Sequence, residues 1–365
     1  MSETAPAPIA RLPLYPLHQR LGARMAALDG VEAVADYGRR EEERRAIRQG
    51  VALVDRSFVG RLELLGADRH RFLNGLVTCD VKGLSPGRGA YGFFPGVQGK
   101  ILADALVLAL PDRLWLELPP GHGKAIADHL GKYLIADRVE VVPLADMLPL
   151  SLVGPGAEAV LAAHAELPAG RFDHLRAMVL GVEVCLVRGP VAGRPGFTLW
   201  ASASVAGSLA QELLALPGVL PAGFDALERA RVEAGWPAFG ADFGPDHFPQ
   251  ESGLEELAVS YTKGCYLGQE VIARIHYRGK ANRAARRLLF EGDEPPPRGS
   301  RLLANGEEVG VLGSAAAAPE GSSQALGIAV IHRKANEPGT RLEVEGDGSA
   351  QVEELPPPGR DLPAG

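Results

Sequence analysis

The chain has 365 residues, with 38 Lys plus Arg against 45 Asp plus Glu for a net charge of −7, and 46% of its residues are apolar. That length and apolar share exclude a disordered, collagen-like or mini-protein scaffold and predict two or three domains with ample core. Cys79, Cys185 and Cys265 lie far apart with no CxxC pair, which excludes a disulfide framework or local zinc knuckle and fits a reducing compartment.

Residues 1–50 are expected to form an N-terminal helical lead-in. The opening MSETAPAPIARLPLYPL lacks a basic n-region followed by an apolar h-region, so no secretory signal is read. A first α+β lobe is expected over 51–145. GRLELLG places Leu62 and Leu64 on one strand face, and DRHRFLNGLV puts Phe72, Leu73, Leu76 and Val77 on one helical stripe behind a possible Asp68 cap. Two strands follow, KILADALVLAL and RLWLELP, meeting at Pro111-Asp112, then a helix through Ile126, Leu130, Tyr133 and Leu134, and the strand RVEVV. This order is a split βαβ, ferredoxin-like unit. The apolar run near 101–110 is interrupted by Asp104 and is too short to span a bilayer. The expectation is a cytoplasmic protein without a membrane helix.

The order begins again over 146–287, the expected second lobe. LVGPGA stands where LLGAD stood roughly 90 residues earlier, and a fixed offset of this kind signals a duplicated unit. VLGVEVCLVRG and GFTLWAS supply strands and SASVAGSLAQELLAL a helix. The fold class is therefore α+β, two ferredoxin-like lobes with a crevice between them suited to a ligand. After the Pro-rich EGDEPPPRGS, residues 288–355 read as a small β-barrel. Asn305-Gly306 is a type I′ hairpin signal, and a second hairpin is expected around Gly346-Asp347-Gly348. Residues 356–365 are expected to be a frayed tail.

Residues 261–287 hold seven Lys or Arg against the single Glu270, a local +6 in an acidic chain. Such a strip is either a solvated face or a place where a specific anion is held. Within it, KGCYLGQE sets Cys265 between Gly264 and Gly268, so the thiol is expected on a loop. Lys263 beside it, and Arg274 if the chain folds back, would favour the thiolate. His276 is a possible partner. Cys185, inside VEVCLV, reads as an inert core residue, and Cys79 as structural.

KGCYLGQEVIARIHYRG resembles the signature of the YgfZ family, folate-binding relatives of the glycine-cleavage T-protein. The resemblance extends through LVDRSFVGRLELLGADRHRFL, GKILADALV, FPQESGLEEL, GVLGSA and ALGIAVI. It implies a three-domain cloverleaf with a central opening for folate and a C-terminal β-barrel. It also implies a tetrahydrofolate-binding protein that supports iron–sulfur cluster assembly or repair in client enzymes. Cys265 would be the key thiol, within the motif Lys263, Gly264, Cys265, Tyr266, Gly268, Gln269 and Glu270. RVEAG matches the T-protein's RLEAG, so Arg231 looks like the arginine that contacts folate. GKILAD has Ala103 where the T-protein has the first of two aspartates and Asp104 at the second; Asp104 either faces the pterin or is a polar residue at a strand edge. GFTLW stands for GYTGE, so Trp200 occupies the place of a folate-contacting glutamate and offers a stacking surface instead.

Three readings follow. The first is a folate-dependent accessory factor acting on clusters held by client enzymes or carriers, with no stably bound metal or cluster of its own, since three scattered cysteines do not supply four thiolates. The alternative is a folate-dependent aminomethyltransferase or demethylase, against which the loss at Ala103 and the exchange at Trp200 are expected to count. The least favoured is an RNA-binding module built on the basic strip with Tyr261, Tyr266 and Tyr277.

Overall fold

The computed structural model of the chain describes residues 9, 11–279, 281–346 and 348–358. It opens with helix α1 (Tyr15–Arg20), strands β1 (Arg24–Leu28) and β2 (Val31–Asp36), and helix α2 (Arg40–Gln49). The lead-in expected to be helical thus contains a β-hairpin. Its turn is Asp29-Gly30, both at positive φ (47° and 81°), the geometry that an Asp-Gly pair serves in a type I′ hairpin.

Strand β3 (Val51–Asp55) comes next. The first repeat is β4 (Gly60–Leu65), α3 (Arg69–Asn74), β5 (Gly89–Pro95), β6 (Ile101–Ala109), β7 (Arg113–Leu118), α4 (Gly123–Gly131) and β8 (Glu140–Pro143). The second is β9 (Met147–Val153), α5 (Ala157–Ala162), β10 (His174–Val179), β11 (Val182–Arg188), β12 (Gly196–Ser202), α6 (Ala203–Ala215) and β13 (Val219–Pro221). The strand read as VLGVEVCLVRG is β11 with the turn before it, and its hairpin partner β10 lies upstream of the segment read from the sequence. The sheets are ordered β5-β6-β7-β4-β8 and β10-β11-β12-β9-β3-β13. They match strand for strand except that β3 is inserted between β9 and β13.

The register makes the duplication residue-specific. Leu64 pairs with Leu114, while Leu152 pairs with Phe197. Two residues beyond each leucine lies a glycine at positive φ, Gly66 (101°) and Gly154 (124°). A Cβ there would meet the Arg138 carbonyl oxygen at 2.1 Å and that of Gly50 at 2.4 Å, so only glycine fits. Counting from Leu114 and Phe197, position 117 of β7 corresponds to position 200 of β12.

Helices α3 and α4 cover the outer face of the first sheet through Phe72, Leu73, Ile126 and Leu130. Helices α1, α5 and α6 cover the second through Leu17, Leu161 and Leu209. The inner faces meet through Leu108, Trp115, Cys185, Val187 and Trp200. Helix α7 (Phe224–Ala234), the short α8 (Glu255–Ala258) and α9 (Gln269–Arg278) lead to strands β14 (Arg283–Glu291), β15 (Arg301–Ala304), β16 (Glu307–Ala316), β17 (Gln324–His332), β18 (Arg341–Val344) and β19 (Gly348–Glu353). These close into a barrel, β14-β17-β16-β15-β18-β19. Asn305 (φ 53°) and Gly306 (φ 78°) make the expected hairpin turn. The expected second hairpin joins β18 to β19; Asp347 lies outside the described residues. Of the expected tail, 359–365 lie outside the described residues, whereas Pro356 sits so close to Gly235 that a Cβ there would be 2.5 Å from its Cδ. Phe93 and Ile101 of the first lobe, Phe239 and Leu254 of the segment after α7, and Ala285 and Val330 of the barrel form one apolar cluster, so three bodies converge beside β6.

Candidate active site

Alternation along β6 decides which side chains reach that convergence. Ala103 and Ala105 pack with the helix-covered core, so Asp104 projects from the opposite, inner face. Asp104 pairs with Phe93 of β5, whereas the ladder between β6 and β7 begins at Leu106. The Tyr91 hydroxyl donates to Asp104 Oδ2. Burial pushes the Asp104 carboxyl up to about 6; the Tyr91 bond opposes this and the neighbouring Glu117 charge adds to it. Asp104 and Tyr91 nonetheless keep part of their surface accessible. Trp236 stands edge-on to Tyr91 at 6.5 Å, and His122 to Phe239 at 5.2 Å.

Glu117 was not singled out from the sequence. It pairs with Leu106 across β6 and β7 and so shares the inner face with Asp104. Arg56 donates to its Oε1, while Oε2 is buried with no hydrogen-bond partner. Trp200 is fully buried, its ring against Trp115 at 5.7 Å and 42°. The expected open stacking surface is therefore absent: the indole fills space between the sheets. Both indole nitrogens, Trp115 Nε1 and Trp200 Nε1, lack acceptors.

The KGCYLGQE turn is placed differently from its sequence reading. Lys263 points inward and donates from Nζ to the carbonyl oxygens of Asn74 (2.7 Å), Val77 (2.7 Å) and Cys79 (2.6 Å), where the last turn of α3 leaves acceptors open. It therefore does not serve the Cys265 thiol, and burial pulls its ammonium down to about 8. Tyr266 is buried with Lys263 Nζ 5.0 Å from its ring centre. Gly264 has open space around it, and Gly268 (φ 75°) abuts Gly96, whose carbonyl oxygen a Cβ would approach to 2.4 Å. The Gln269 backbone N–H donates to the Tyr266 carbonyl, and Glu270 lies exposed in the first turn of α9. Cys265 itself is exposed. His276 stacks on Tyr261 at 3.8 Å and bonds Glu255, so its ring is committed away from the thiol. Cys79 and Cys185 are buried, which pushes each thiol up to about 12.

The basic strip does not persist as one surface either. Lys263 is inward, Arg283 pairs with buried Glu251, and Arg286 donates to the Asn336 carbonyl; Lys280 lies outside the described residues. Arg231, expected as a folate contact, is buried. Its Nε and Nη2 donate to Glu228, Nη1 to Asp242 (2.6 Å) and the Trp236 carbonyl, and Nη2 to Ser314. A guanidinium has five N–H donors, and all five are used to tie α7 to the following loop and to β16.

The model of the GCVT N-terminal domain matches residues 14–263. The chain belongs to the GCVT family. An aminomethyltransferase of Anoxybacillus flavithermus is 30% identical over 355 residues, covering 92% of this chain and 94% of that one. The aminomethyltransferase of a Geobacillus species is 28% identical over 347 residues, covering 92% and 94%. The crystal structure of glycine cleavage system aminomethyltransferase T from Bartonella henselae superimposes with a TM-score of 0.85 at 25% identity, covering 95% of this chain and 97% of that one. The expected two-lobe and barrel fold is thus the fold of this GCVT protein. Among its described residues no group of three or more His, Cys, Asp or Glu could hold a metal ion, and no helix is long and apolar enough to cross a membrane.

Proposed function

We propose that this GCVT-family chain binds tetrahydrofolate in the opening between the lobes and the barrel and carries out one-carbon transfer of the aminomethyltransferase kind. The observation that carries the reading is Asp104, a partly accessible carboxyl on the inner face with its pKa near 6. Such a group exists in both protonation states near neutral pH and suits proton transfer at a nitrogen. The objection from Ala103 loses its force, because that position faces the helix-packed core rather than the opening. The residues fit folate: a carboxyl, aromatic edges from Tyr91 and Trp236, and a buried oxygen of Glu117 awaiting a donor.

The test is calorimetric titration with tetrahydrofolate combined with turnover of an aminomethylated carrier. Wild type is expected to bind and turn over, and Asp104→Asn to retain binding while losing on the order of 100-fold in rate. No binding by wild type, or full rate in the variant, overturns the proposal. A second reading, the cluster-maintenance role of the YgfZ family with Cys265 as its thiol, is favoured by one observation: that thiol is exposed on a turn whose neighbours Lys263 and Tyr266 are buried anchors. It requires Cys265→Ala to abolish rescue of cluster-enzyme activity in a strain lacking the family member; full rescue sinks that role.

A further inference from the structure

We infer that a cleft on the outer face of the barrel is a second ligand site, built for a phosphate monoester with an apolar organic part. It lies apart from the folate site proposed above: Asp104, Tyr91 and Trp236 are not among the residues that line it.

Alternation along the strands fixes which side chains form its floor. Leu312, Ala329 and Ile331 face the barrel core, so Val311, Val330 and His332 face outward. Val311 pairs with Val330, and Arg283 of β14 pairs with His332. The loop after α7 supplies the opposite wall through Asp242 and His247. Arg298 bridges the two, donating from Nη2 to the Gly240 (2.7 Å) and Ala241 (3.3 Å) carbonyls. The space enclosed is about 540 Å³, the size of a small-molecule site.

The hydrogen bonds around the two imidazoles decide what they offer. The Gly244 backbone N–H donates to His247 Nδ1 at 3.1 Å, and the Lys334 backbone N–H to His332 Nδ1 at 3.3 Å. A ring that accepts at Nδ1 carries its hydrogen on Nε2, so both rings present N–H donors rather than metal-binding lone pairs. Burial, and after it Arg283, hold His247 below the usual imidazole range, which keeps that ring in this neutral form at neutral pH. Arg283 commits Nε and Nη2 to Glu251 and the Asp246 carbonyl. Its Nη1, and Nε and Nη1 of Arg298, have no hydrogen-bond partner among the described residues. Four side chains with spare donors therefore line one cleft, and guanidinium and imidazole N–H groups together suit an oxyanion.

Two carboxylates narrow the class. Glu308 is exposed at the rim. Asp242 is wholly buried; its Oδ2 is taken by Arg231 and the Ala238 N–H, while Oδ1 has no partner. A Cβ at Gly313, where β16 bulges, would stand 2.7 Å from that oxygen, so glycine is what lets the loop close on the strand. A buried acceptor left open calls for a donor from outside the chain. The complement is a group that accepts several hydrogen bonds and gives one. A phosphate monoester monoanion does both, whereas a carboxylate only accepts. Val311, 45% exposed, and Val330 give the organic part an apolar wall.

The test is titration of the full chain with phenyl phosphate, inorganic phosphate and benzoate, read by calorimetry and by the imidazole nitrogen signals in NMR. Phenyl phosphate is expected to bind more tightly than the other two and to shift the Nε2 signals of His247 and His332. His332→Phe and Arg298→Gln are each expected to weaken that binding roughly 10- to 100-fold, and the second stands in should the first fail to fold. Tetrahydrofolate affinity is expected to stay the same in both; a parallel loss of the two ligands overturns a separate site. No binding of phenyl phosphate by wild type, undiminished binding in both variants, benzoate binding as tightly, or hydrogen on Nδ1 of either ring also overturns the inference, and none of these outcomes touches the folate reading.

Discussion

Asp104 has a direct consequence for stability. Its folded-state pKa, about 6, lies above the ordinary 3.8, so folding favours the protonated form. The stability it contributes is fully present below about pH 4 and is lost as pH rises through 6, a penalty on the order of 3 kcal/mol at neutral pH. Asp104→Asn should therefore raise the denaturation midpoint at pH 7.5 and barely change it at pH 4; an equal effect at both pH values would contradict the buried carboxyl. Asp104 drew notice through the GKILAD resemblance and as the carboxylate that interrupts an apolar run. Glu117 did not, because in RLWLELP a charged residue reads as the solvent side of an alternating strand. Here both faces of the sheet are packed, one on helices and one on the other lobe, so alternation gives the period but not which face is wet.

The KGCYLGQE turn shows what a motif conveys at the level of an element. Gly268 is a turn residue at φ 75° packed on Gly96, whereas Gly264 lies outside any turn with open space around it. The lysine was misread because proximity along the chain was taken for proximity in space. Its ammonium instead replaces the missing donors at the end of α3, stitching a segment near residue 263 to one near residue 77. Lys263→Met should cost roughly 3 kcal/mol, since three buried carbonyls lose a charged donor at once. The checks are a lower melting temperature and faster amide exchange over residues 74–79 and 263–268. Unchanged exchange in the α3 segment would show that the carbonyl nest is not what holds the turn. The hairpin of β1 and β2 was overlooked for a different reason: its Asp-Gly turn was present in the sequence, but the short flanking runs carry little alternation.

At the scale of the molecule, the two lobes and barrel were legible from the repeat offset and the hairpin signals, whereas the contacts between bodies were not. Arg231 is the clearest case. The resemblance offered it to a ligand, and the fold spends it on joining α7 to the barrel through Asp242 and Ser314. Arg231→Ala would strand the Asp242 charge in the interior, at a cost of about 3–5 kcal/mol. Denaturant unfolding should show that loss, with tetrahydrofolate affinity of the remaining folded protein preserved; a stable variant with selectively lost affinity would restore the ligand role.

The insertion of β3 makes the two halves unequal in the order of their synthesis. The first sheet uses only strands between Gly60 and Pro143, so all of its strands are present once that stretch has been synthesised. The second holds a strand finished at Asp55 between partners that end at Val153 and Pro221, so a strand made before the first lobe waits until the second is nearly complete. A gene fragment starting after β3 would keep the first sheet intact and leave a gap in the middle of the second. The duplicated halves therefore cannot be exchanged or expressed as equivalent modules: the younger repeat is completed by chain older than either.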